Sequence, residues 1–148
     1  KPYNDAPTSP RIISILLDFE NGVFASDFTD EAIVPYLNAR KTFEKIGVTM
    51  HLVYVNSPDG NFRSSTEIDK RISLFLKKAD GDLDNLENVH VVSDYSIEKG
   101  ILSFANTIGA DLIAVATHGR KGLAHFFEGS ISEDIANHST LPVMTFKI

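Results

Sequence analysis

Five short apolar runs, separated by stretches of helical period, constrain this chain more than any other feature. The runs lie at 22–26, 50–55, 89–92, 112–116 and 142–146. They are largely apolar on both faces, as expected of central strands covered on two sides by helices. Between them, Ile68, Ile72, Phe75, Leu76 and Ala79 repeat at i, i+4, i+7, i+8, i+11, and Ile97, Ile101, Phe104, Ala105 and Ile108 do the same. Tyr36, Ala39, Phe43 and Ile46 predict an earlier helix over 30–46, in which Pro35 lies too deep for a first turn and must kink the helix or delay its start. Gly47 stops it. A last helix opens near Ser130, where Ser130 and Glu133 have capping-box spacing. Alternating strands and helices imply right-handed crossovers. The expected fold is a single α/β domain with a five-stranded, mostly parallel sheet flanked by helices.

With 148 residues, 43% of them hydrophobic, the chain has the material for one compact core. Residues 1–20 begin KPYNDAPTSP, with three prolines among polar residues, and read as a linker, leaving 21–148 as the domain. The structure of the apolar stretch 12–17 stays open. A start at Lys1 rather than methionine suggests a processed, trimmed or excised chain. The net charge of -6, with only isolated cation pairs such as Arg120-Lys121, argues against nucleic acid as a partner. The lack of cysteine excludes thiolate chemistry and disulfides and suits a cytoplasmic setting. No run approaches the length of a membrane span, so no membrane partner is expected.

In parallel sheets ligands bind beyond the carboxyl ends of the strands, where strand order reverses. That draws attention to Asp27-Phe28, to 56–60 and above all to DLIAVATHGRKGLAHFFEGS at 111–130. Two glycine-bearing corners, 116–119 and Gly129-Ser130, have backbone N–H groups that could face an anion, and the second adds the positive end of a helix dipole. Bland readings stand beside each residue. Gly119 and Gly122 also fit ordinary turns, Ser130 a helix N-cap, and Asp27 a cap of the first helix. His118 fits phosphate contact or loop ordering better than general-base work, since no nucleophile with an orienting acid stands beside it. His51, His90, His125 and His138 lack metal-ligand spacing, and Phe126-Phe127 fits a core. No G-x-x-x-x-G-K-[ST] loop occurs.

These residues resemble the universal stress protein family over about 21–148. Its ATP-binding pattern is a glycine, two residues, a glycine, nine residues, then glycine with serine or threonine. It is matched by Ala116-Thr117-His118-Gly119, residues 120–128 and Gly129-Ser130, with Ala116 replacing the first glycine. VFASDFTDE resembles the family's first strand and its terminal aspartate, here Asp27. The resemblance implies an adenine-nucleotide-hydrolase-like, Rossmann-like fold and an ATP site, with Mg²⁺ carried by the nucleotide. Ala25, Asp27 and Val55 would lie around adenine and ribose, Val115 and Ala116 beneath the ribose, and His118, Gly119, Gly129, Ser130, Ile131 and Ser132 around the phosphates. It further implies a non-enzymatic regulatory role in stress response. A homodimer, or pairing with a tandem sister domain, would run through the last strand at 143–146. An empty dimerising scaffold and a slow ATP hydrolase are the alternatives.

Overall fold

The computed structural model describes residues 18–58, 62–117 and 129–148, with the backbone alone for 129–133. Five strands, β1 (Asn21–Ala25), β2 (Thr49–Asn56), β3 (Val89–Ser93), β4 (Leu112–Thr117) and β5 (Val143–Lys147), form one sheet in the order β3-β2-β1-β4-β5. Every pairing is parallel. The helices are α1 (Ile33–Ile46), α2 (Ser65–Asp80), α3 (Ile97–Thr107) and α4 (Gly129–His138). The expected α/β architecture is therefore present, and the strand runs fall within a residue or two of the observed ones. The apolar stretch 12–17 lies outside the described residues.

Pro35 delays the first helix rather than kinking it. Residues Asp30–Ala32 form a 3-10 turn, and Pro35 is the third residue of α1, where no intrahelical N–H is required. Gly47 ends α1 in the left-handed region at φ 72°, a conformation that costs little without a Cβ. At the start of α2, Ser64 accepts the Glu67 N–H and the Glu67 carboxylate accepts the Ser64 N–H, a capping box legible in the spacing Ser64-x-x-Glu67.

Two separate cores result. On one face Phe24 and Ala114 meet Tyr36 and Phe43 of α1 and Ile72, Phe75 and Leu76 of α2. On the other, Val23, Val53, Ile113 and Val115 meet Ile101, Phe104 and Ala105 of α3 and Ile135 of α4. At the amino ends of the strands, Asp111 Oδ2 accepts the N–H groups of Glu20 (2.7 Å) and Asn21 (3.0 Å). The Asn21 bond, then that of Glu20, holds its carboxyl below the ordinary range. The acidic stretch 80–88 is not wholly turned to the surface. Asp80 turns inward, its side chain 4% exposed, to receive the Tyr36 hydroxyl and the Arg40 guanidinium.

Candidate functional site

Strand order reverses between β1 and β4, because β1 connects outward to β2 on one side while β4 and β5 lie on the other. Ala25 pairs with Val53 and with Val115, so two residues further along the chain, Asp27, Val55 and Thr117 mark the carboxyl edge of three neighbouring strands.

The loop leaving β1 is tightly built. Ser26, fully buried, accepts the Phe28 N–H on Oγ at 2.9 Å. Asp27 Oδ1 accepts both the N–H (3.0 Å) and the hydroxyl (2.8 Å) of Thr29, a local Asx-type turn ahead of the helix. The helix cap expected of this carboxylate is not made, since Thr29 and Ala32 hold the N-cap positions without a side-chain cap bond. Oδ2 takes no hydrogen bond among the described residues. Phe28 is held at φ 57°, a costly conformation for a bulky side chain. Its ring is buried edge-on to Phe75 at 5.1 Å, and that packing sustains the strain. From α2, Arg71 Nη1 donates to the Asp27 carbonyl at 3.4 Å.

The remaining expected residues divide. Ala25 and Val115 are buried in the α3/α4 core. Val55 belongs there too: a Cβ on Gly100 of α3 would lie 2.5 Å from its Cγ1, so the helix covers the valine side chain and a ligand could reach only its backbone. Ala116 is buried within β4, paired with Phe146, and has no positive φ, so alanine at this position strains nothing. Gly129, Ser130, Ile131 and Ser132 form the first turn of α4, whose leading N–H groups lack intrahelical partners. His118 and Gly119 lie outside the described residues, as do Gly122 and Phe126-Phe127.

Two neighbours belong to the stretch 56–60 that the sequence singled out without assigning roles within it. Asn56, at the end of β2, accepts the Arg63 N–H (3.1 Å) and donates to the Arg63 carbonyl (3.0 Å), tying Arg63 to the end of the strand. Ser57 donates to the Tyr95 carbonyl at 3.2 Å and joins the ends of β2 and β3. Asparagine and serine directly after an apolar run were the available signal. Among the described residues no group of three or more metal-ligating side chains occurs, and no helix is long and apolar enough to cross a membrane.

The sequence model of the universal stress protein family matches residues 23–147. The stress response protein NhaX of Bacillus subtilis is 33% identical over 77 residues, which cover 52% of this chain and 42% of that protein. The match thus spans less than half of that relative's length. A universal stress protein from Archaeoglobus fulgidus in complex with dAMP superposes with a TM-score of 0.56 at 19% identity, covering 88% of this chain and 99% of its own. A universal stress protein in complex with cAMP gives 0.57 at 15% identity, covering 86% and 96%. Both confirm the fold.

Proposed function

Since the chain belongs to the universal stress protein family, we propose that it is a cytoplasmic adenine-nucleotide-binding module, working in stress response by nucleotide-dependent conformational change rather than by turnover. The observation that carries this reading is Asp27, whose Oδ1 is occupied by Thr29 while Oδ2 keeps its acceptor capacity at the strand-order reversal. A carboxylate fixed by one oxygen is well suited to accept a ribose hydroxyl with the other. The backbone at the carboxyl ends of β1 and β4, where Ala25 and Ala116 lie, suits close approach of the sugar. The first-turn N–H groups of Gly129, Ser130, Ile131 and Ser132 suit phosphate oxygens, and His118 and Gly119 are the further phosphate contacts that the family pattern implies. The cAMP and dAMP complexes of similar folds support adenine as the base. With ATP, Mg²⁺ would be held mainly by the triphosphate.

The test is thermal unfolding with and without ATP and Mg²⁺. At about 100 times its dissociation constant the ligand adds about 2.7 kcal/mol, a shift of roughly 5 to 10 °C at this size. Gly129→Val fills the phosphate position and should abolish the shift, as Asp27→Ala should weaken it. No shift at millimolar nucleotide sinks the reading and favours a scaffold without ligand.

The domain, taken as 21–148 after a linker, is further proposed to pair with a second copy or a tandem sister domain through β5. Ile113 N–H donates to the Pro142 carbonyl and Ile148 N–H to that of Thr117, so even-numbered residues of this stretch face β4. The alternation turns the backbone groups of Val143, Thr145 and Lys147 to the open edge. Thr145→Pro removes an outward donor and spares the ladder to β4. Light scattering should find wild type dimeric and this variant monomeric and folded; a monomeric wild type removes the dimer.

A further inference from the structure

Behind the Asp27 loop a groove of about 670 Å³ opens between the 3-10 turn Asp30–Ala32 and α2. Its long wall is one stripe of α2, in which Glu67, Lys70, Arg71, Leu74, Phe75 and Lys78 recur at i, i+3, i+4, i+7, i+8, i+11. Apart from Phe75, which also belongs to the core, this stripe lies beside the apolar inward face of the helix and is not needed for the core. Its chemistry is mixed in a particular way. Phe28, Leu74 and Phe75 give an apolar lining, and Leu74 is 53% exposed on it.

The carboxylates of the groove have work of their own. Asp30 pairs with Lys78 at 3.0 Å, and Glu67 is held at the helix start by the Ser64 N–H. Glu31, on the opposite wall, also has a partner. Lys78 and Arg63 have partners too, and two cations, Lys70 and Arg71, are less committed. Lys70 makes no hydrogen bond or ion pair among the described residues, and Arg71 spends one nitrogen, at 3.4 Å, on the carbonyl of Asp27. Arg63 stands at the groove's end.

Two adjacent cations over an apolar lining form a recognition surface of definite type: a guanidinium and an ammonium match an oxyanion, and the lining matches a flat apolar body. We propose that this groove is a second ligand site, separate from the strand-order reversal, that takes a small oxyanion carried on a planar apolar group. Arg71 links it to the loop of the first site, since an anion drawing on its guanidinium competes with the Asp27 carbonyl.

Phenyl phosphate is the probe, titrated into the ¹⁵N-labelled chain and followed by amide shifts. Saturable shifts are expected in 28–31 and 67–78, extending to Asp27. Lys70→Gln and Arg71→Gln, both at exposed or half-buried positions, should each weaken binding about tenfold, the value of one charged hydrogen bond. Inorganic phosphate should bind more weakly than the probe. Shifts confined to 112–117 and 129–132, or affinity unchanged in both variants, overturn the proposal. Equal affinity for inorganic phosphate overturns the planar-body specificity.

Discussion

The two faces of the sheet are built from different chemistry. The α1/α2 face is aromatic and contains a polar lock: Tyr36 donates to Asp80 at 2.8 Å, Asn85 donates to the Tyr36 oxygen at 2.9 Å, and Arg40 pairs with Asp80. Burial first, then the bond to Asp80, pushes the Tyr36 hydroxyl well above its ordinary range. The α3/α4 face is almost wholly aliphatic, and α3 comes so close that Gly100 sits directly over Val55. The aromatic face holds the Asp27 loop from behind through Phe28 and Arg71. The aliphatic face includes α4, whose first turn opens the proposed phosphate corner. One face thus fixes a carboxylate in place, while the other supplies a helix joined to α3 by close packing and, at its far end, by the exposed pair His138–Glu98.

Four changes test this contrast. The largest effect is expected from Asp80→Ala, which leaves the buried Tyr36 hydroxyl without its acceptor and Arg40 with Glu44 alone as a partner. Loss of a buried partner costs about 3 kcal/mol. Urea unfolding measures it, and a loss below about 1 kcal/mol would mean that the aromatic packing alone holds this face.

On the other face, Gly100→Ala should destabilise by about 1 to 2 kcal/mol. In an open helix the change gains about 1 kcal/mol. Here the new Cβ would stand 2.5 Å from one methyl of Val55 and 2.9 Å from the other, and a β-branched side chain has little rotamer freedom to retreat. A stabilised variant would show that α3 can shift outward without cost.

Ala116→Gly should cost about 0.5 to 1 kcal/mol from greater freedom of the unfolded strand, with no gain in nucleotide affinity, because Ala116 already lies in ordinary strand conformation. A calorimetric titration showing clearly tighter ATP binding would mean that the Cβ, rather than the backbone, obstructs the sugar.

The smallest effects are those of pH near neutrality, where the two shifted histidines lie on the aliphatic side. The hydrogen bond and charge of Glu98 raise His138 above the ordinary histidine value. That pair therefore stabilises fully below about pH 6.5 and fades as pH rises through the folded-state value. Burial, then the neighbouring His90, lowers His51. Its neutral form is the one the fold accepts, so it withdraws stability as pH falls below about 6.5. Proton NMR should find His138 titrating above His51, and His138→Gln should remove only the acid-side gain. The reverse order of titration would break the assignment.

Local pattern determined much of this protein. Short apolar runs and period-3.6 repeats placed five strands and four helices, Gly47 marked a helix end, and Asp27 stood out at the end of the first strand. Such signals survive in sequence because they depend on neighbours within a few residues. Strand order, by contrast, was decided by long-range pairing, which set β1 beside β4 and so brought Asp27 to the reversal at the level of Thr117. Packing turned Asp80 inward, bent Phe28 into the left-handed region and laid Gly100 over Val55. Each of these outcomes joins residues far apart in the chain, and its free energy arises from contacts that exist only once the layers close.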